Sequence, residues 1–259
     1  MEYNEIYKEI GFKTEISRLK KQAYLGYKKE IRMLKMLGLK DNSEILEVGC
    51  GPGFYTKILL NSFPNSEITA ADIDENFLKY ADKRLDYKVY GDRVALVKDD
   101  VTKSALPDDY FDFVIARFVF QHLDKPVEAL KEIYRVLKPG GKVFIIDVDV
   151  DIWGTTFPSN QTMETINRNL GLLQSNLNGN RKIGSALVTL LKRLNFKKLD
   201  IEAVVNHSDI LGKENFKTNI NEDLIKDNRV SSLINEYNNF FELDYSSMMI
   251  LKLVISGEK

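Results

Sequence analysis

Apolar and polar positions along the chain alternate in two different rhythms. Over residues 14–37, Ile16, Leu19, Ala23, Tyr27, Ile31, Leu34 and Leu37 recur at helical spacing. This predicts an amphipathic leading helix, broken near Gly26 and ending at Gly38. Short β-type runs then appear at 44–49 (EILEVG), 67–72 (EITAAD), 93–98 (RVALVK), 111–116 (FDFVIA) and 142–148 (KVFIIDV). Helical stretches at about 54–63, 75–88 and 125–138 separate them, the last closed by Lys138-Pro139-Gly140-Gly141. Apolar strands alternating with helices imply βαβ units, and hence a parallel sheet covered on both faces.

After Val150 the pattern loosens. Residues 161–178 and 181–195 read as helices, 197–205 as a sixth strand and 247–256 as a seventh, with 208–242 polar and helical in pieces. No linker marks a second domain. The expectation is one α/β domain over 1–259 with a doubly wound, mostly parallel seven-stranded sheet and helical insertions after strands 5 and 6. Residues 1–40 would form a helical cap, 41–150 the core of the site, and 151–259 the remaining sheet with lid-like insertions.

Composition narrows the function. The 259 residues carry 37 Lys+Arg against 38 Asp+Glu, a net charge of −1, which argues against a polyanion-wrapping protein. One cysteine and two histidines leave no basis for an internal disulfide or a metal cluster, so no metal is expected. The charged start lacks a secretory h-region and no run approaches the ~18 apolar residues of a membrane span, so a cytoplasmic protein is expected.

The chemistry concentrates in Glu44-Ile45-Leu46-Glu47-Val48-Gly49-Cys50-Gly51-Pro52-Gly53-Phe54-Tyr55-Thr56, a strand running into a glycine-rich turn and a helix. Glycines at alternate positions permit tight curvature and close ligand approach, and the helix start offers N–H groups. A dinucleotide fingerprint needs its third glycine three residues after the second, at position 54, where Phe54 stands. Glu47 would also repel a diphosphate and attract a cation.

This segment resembles the first motif of the class I S-adenosylmethionine-dependent methyltransferases. The resemblance implies that Glu47, Gly49, Cys50 (through backbone), Gly51, Tyr55 and Thr56 bind S-adenosylmethionine, with Glu47 near its ammonium group and S-adenosylhomocysteine as product. Asp72, at the end of the second strand, can accept from both ribose hydroxyls, a geometry that NAD enzymes share. In the family pattern Asp72 is the ribose acid and Ile73 lies against the adenine, while Asp74 suits the helix N-cap. Asp100, with Val101, matches the adenine-reading pair, and Phe111–Leu123, which contains Arg117 and His122, resembles the strand-4 motif, which implies that Arg117 also binds the cofactor. The ordered motifs cover about 40–150. A weaker likeness, Glu15–Ala23, is similar to a leading-helix segment of some small-molecule methyltransferases. In those, a helix closes over the cofactor, and Arg18 and Gln22, four residues apart, share one face, which would let both reach the cofactor carboxylate.

In-line methyl transfer needs donor and acceptor held in line and water excluded. His122 is the candidate base or a cofactor contact, His207 is expected to be structural or exposed, and Trp153, Tyr24, Tyr27 and Phe157 could line an apolar acceptor pocket. Residues 116–119 lack the proline-containing segment of nucleobase amine methyltransferases. A small-molecule methyltransferase, monomeric or homodimeric, is therefore expected. An RNA or protein methyltransferase, or a non-catalytic cofactor-binding partner protein, is the alternative.

Overall fold

A computed structural model describes residues 11–166, 179–218 and 228–259. The leading helix is two helices, α1 (Phe12–Tyr24) and α2 (Tyr27–Met36), because Gly26 between them takes a left-handed φ of 75°. Next come β1 (Glu44–Val48), α3 (Phe54–Ser62), β2 (Glu67–Asp72), α4 (Glu75–Arg84), β3 (Val94–Lys98) and β4 (Phe111–Arg117). The chain continues through α5 (Pro126–Val136), β5 (Leu137–Asp147), β6 (Gly154–Phe157), α6 (Ile183–Arg193), β7 (Lys197–His207), α7 (Asn228–Phe240) and β8 (Ser247–Glu258).

The sheet order is β3-β2-β1-β4-β5-β8-β6, with β7 on the other edge of β8. The pairings among β1 to β5 are parallel, and β8 runs antiparallel to β5, β6 and β7. Eight strands thus replace the seven expected. The additional one, β6, continues the track of β5 along β8, pairing at Gly154↔Ile250 where β5 pairs at Asp147↔Leu253. Its four residues, two of them threonines in a polar stretch, are too short to leave a periodicity.

Period-two alternation divides the strand side chains between two cores. Ile45, Phe113, Ile115, Phe144, Ile146 and Val254 pack with α1–α4 on one face. Leu46, Val114, Ala116, Val143, Ile145 and Ile255 pack with α5 and α6 on the other. Strand order reverses between β1 and β4, which opens a crevice at the carboxyl ends of these strands. A third cluster, with Met163, Phe216, Phe240, Phe241 and Met248 at its centre, sits beyond the sheet and includes Trp153, Leu25 and Ile250 at its border. The insertions expected after strands 5 and 6 supply most of it. The expected helix over 161–178 is seen over 161–166, and its remainder lies outside the described residues, as do 219–227 of the second insertion. No helix of the described residues is long and apolar enough to cross a membrane.

Candidate functional site

The glycine turn after β1 closes on itself before it meets any ligand. The Cys50 N–H donates to the Ala71 carbonyl (3.0 Å) and the Gly53 N–H to the Cys50 carbonyl (3.1 Å). Gly49, Gly51 and Gly53 have φ of 67°, 53° and 74°, a region that side chains disfavour. Their surroundings differ. A Cβ on Gly49 would meet Val119 Cγ2 at 2.5 Å, whereas one on Gly51 would meet nothing within 4 Å. Gly49 therefore serves packing, and Gly51 faces open space.

Carboxylates converge on that turn. Glu47 is buried at the end of β1 and accepts from the Thr56 hydroxyl at 2.6 Å. Burial raises its pKa to about 8, with a further push from Asp72 that the Thr56 bond and Arg117 only partly offset. Asp72 accepts from the Gly51 N–H (2.7 Å) and the Asp74 N–H (2.8 Å), so the expected ribose acid also ties the turn to β2. Burial raises Asp72 to about 6. Asp74 accepts from the Asn76 N–H as the N-cap of α4. Ile73 is exposed, at 45%, alongside. Asp100 accepts from the Thr102 N–H and hydroxyl, and Val101 leans on the α5-side core. Cys50 is buried, and burial pushes its thiol well above the ordinary range.

Arg117 goes elsewhere than the cofactor role the strand-4 motif implied. Its guanidinium forks onto Glu30 (2.8 and 3.1 Å), donates to the Gln22 carbonyl (2.7 Å) and lies between the rings of Tyr55 and Phe118 (4.6 and 4.7 Å). Lys252 of β8 reaches Glu30 from the other side, at 2.5 Å, and the Leu25 carbonyl. Burial alone would raise Glu30, but Arg117 and Lys252 hold it at about 2. Burial lowers Lys252 to about 8 against the pull of Glu30. This triad, wholly inside the protein, pins the two leading helices to the sheet. Its members lie 87 and 222 residues apart in sequence, so no local pattern links them. Two signals were nevertheless present: Glu30 falls on the apolar face of α2 with Tyr27 and Leu34, and Lys252 interrupts an apolar strand.

Beside the triad lies a cavity of about 340 Å³. Arg18 and Gln22 of α1 do share its wall, with Phe118, Trp153, Phe216 and Lys252 opposite. Phe118 holds a left-handed φ of 57°, a strained conformation that places its ring against both Arg117 and the cavity. Of the expected aromatic lining only Trp153 is there. Phe157 is two-thirds exposed, and Tyr24 and Tyr27 pack edge-on against each other. His122 ends a turn after β4. Burial, then the charges of Arg18 and Arg181, lower its pKa to about 3, which makes it neutral and a poor proton acceptor. His207 caps the short helix Ser208–Leu211 by accepting from the Asp209 N–H. Among the described residues no group of three or more His, Cys, Asp or Glu side chains could hold a metal ion.

Residues 46–145, which carry every acid of the turn, match the family model described as a methyltransferase domain. Over that stretch, 100 of the 259 residues, the chain carries a methyltransferase domain. The chain is 35% identical over 99 residues to a malonyl-[acyl-carrier protein] O-methyltransferase of Priestia megaterium, covering 38% of this chain and 34% of the relative. It is 30% identical over 115 residues to a ubiquinone/menaquinone biosynthesis C-methyltransferase of Ectopseudomonas mendocina, covering 44% and 45%. The alignments thus span less than half the length of either relative. In fold it matches a phosphoethanolamine N-methyltransferase of Haemonchus contortus with a TM-score of 0.60 at 20% identity, over 90% of this chain and 53% of that one.

Proposed function

We propose that this methyltransferase transfers a methyl group from S-adenosylmethionine to a small molecule bound in the cavity beside α1. The observation that carries the reading is the juxtaposition of two compartments. The turn with Glu47, Gly51 and Asp72 lies at the ends of β1 and β2, and a cavity with Phe118, Trp153 and Phe216 in its wall lies past the ends of β4 and β5. Phe118 lines the cavity, and Arg117 stacks on both Phe118 and Tyr55 of α3, the helix that follows the turn.

The residues fit the cofactor. Open space over Gly51 leaves room for a ligand against the backbone, and a buried carboxyl at Glu47 suits a cation. In this reading Glu47, steadied by Thr56, meets the ammonium group, Asp72 the ribose hydroxyls, Ile73 the adenine face and Asp100 its exocyclic amine. Gly49 and the Cys50 backbone hold the turn, and Tyr55 supports Arg117. When bound, the cofactor supplies the electrophilic methyl on a sulfonium. The protein's part is to align an acceptor in the cavity and keep water out, with Phe118, Trp153 and Phe216 as apolar walls. His122 is given no base role, because a group that protonates near 3 takes up protons too weakly.

The cavity volume sits at the low end of ordinary small-ligand pockets, about 300–1,000 Å³, and is too small for a folded macromolecule. The names of the quinone-pathway C-methyltransferases are compatible with an acceptor of low mass, and that of the malonyl-[acyl-carrier protein] O-methyltransferase with a small acyl group borne on a carrier protein. Calorimetric titration with S-adenosylmethionine, S-adenosylhomocysteine and NAD tests the cofactor site. Binding of the first two and not NAD is expected, and NAD binding in their place would overturn the reading.

A further inference from the structure

The cavity wall is electrically one-sided. Among the described residues Arg18, Lys21, Arg181, Lys217 and Lys252 line it, and no Asp or Glu does. Four of these cations are committed to partners. Arg18 forks onto Glu15, Lys21 donates to the carbonyls of Glu214 and Lys217, Lys217 pairs with Glu214 and Glu242, and Lys252 pairs with Glu30.

Arg181 differs. Its Nε is buried with no hydrogen-bond partner, and among the described residues it makes no ion pair. Arg181 is half-buried, and a buried N–H left without an acceptor costs about 1–3 kcal/mol, so its retention needs an explanation. The nearest acid in charge, Asp147 at the end of β5, is fully buried and accepts from the N–H groups of Val148 and Gln121. Backbone bonds hold the Arg181 segment itself in place. Val150 donates to the Arg181 carbonyl (2.8 Å), and Asn180 donates to the Gln121 carbonyl (2.9 Å). Burial, and after it the charges of Arg18 and Arg181, keeps His122 neutral, so it adds no positive charge beside them.

Building on the methyltransferase reading, we infer that Arg181 is the anchor for an anionic acceptor, a small molecule with a carboxylate or phosphate on an apolar body. A planar guanidinium presents two N–H groups in parallel to such an oxyanion. Trp153, Phe118 and Phe216 would take the apolar part. No residue of the turn 49–56 lines this cavity, so the anion recognised is that of the acceptor and not of the cofactor.

The test is calorimetry on the full chain saturated with S-adenosylhomocysteine, with benzoate and phenyl phosphate as anionic probes and benzamide as the neutral isostere. An anionic probe is expected to bind at least about tenfold more tightly than benzamide. Arg181→Gln should erase that preference and leave S-adenosylhomocysteine affinity unchanged, while Arg181→Lys keeps part of it and guards against a folding defect. Equal binding of anion and amide to the wild type overturns the inference, and so does an unchanged preference in Arg181→Gln. Loss of S-adenosylhomocysteine binding in that variant also overturns it, by reassigning Arg181 to the cofactor. Failure of the wild type to bind S-adenosylhomocysteine at the outset would instead sink the methyltransferase reading.

Discussion

With Glu47 at the cofactor's ammonium group, as proposed, cofactor binding is coupled to protons, and the size of the coupling follows from the surroundings of Glu47. Burial against Asp72 raises its pKa to about 8, so at pH 7 only about one molecule in ten carries it ionised. If an ammonium group must meet a carboxylate there, binding at pH 7 releases about 0.9 proton from Glu47. Lowering the pH from 7 to 6 then costs about one further pKa unit, roughly 1.4 kcal/mol or nearly tenfold in affinity. Over this range a free α-amino group, ordinarily titrating near 7.7–8.0, stays protonated and adds little. Asp72, raised to about 6, contributes at most about a further twofold over the same interval. Titrating S-adenosylhomocysteine by calorimetry at both pH values, in buffers of different ionisation enthalpy, reads affinity and proton release together. Glu47→Gln should flatten the slope to the small Asp72 remainder and abolish most of the release. Tight wild-type binding with neither pH slope nor proton release would refute the assignment of Glu47 to the ammonium. Without cofactor the same raised pKa works in the opposite sense. The stability held below about 4.5, where unfolded Glu is protonated, is lost as pH rises through about 8.

Three further outcomes are expected. Glu30→Gln leaves Arg117 and Lys252 buried and facing each other without their shared anion. It should cost about 3–5 kcal/mol in urea unfolding, and a loss under about 1 kcal/mol would mean the triad does not pin the leading helices. Gly49→Ala should lower thermal stability through its clash with Val119, whereas Gly51→Ala, with open space at its Cβ, should lower cofactor affinity more than stability. Equal thermal losses in the two would contradict that division. Asp72→Ala should weaken cofactor binding and also loosen the turn, because it removes the acceptor for the Gly51 and Asp74 N–H groups, whereas unchanged binding would remove Asp72 from the site.

The central sheet was legible because β1, β4 and β5 are buried on both faces and leave continuous apolar runs, and because Gly26 and the turn at 49–53 mark breaks that only left-handed backbone satisfies. The acids at the ends of β1 and β2 could be read from their place after strands. What sequence concealed is held together over long separations. Arg117, Glu30 and Lys252 come from three distant segments, and each is an ordinary charge in its own neighbourhood. Arg181 was hidden in the same way, since its burial depends on the packing of 179–183 against the turn at 120–122. Tyr24, which packs on Tyr27, and Phe157, which faces outward, miss the expected pocket because aromatic character does not specify direction.

The most direct test of the account is a crystal structure of the chain with S-adenosylhomocysteine. The account predicts the ligand's ammonium at Glu47, its ribose at Asp72 and its sulfur directed past Phe118 toward the cavity beside α1. A ligand seated with its sulfur turned away from that cavity, or outside the turn at 49–53 altogether, would contradict it.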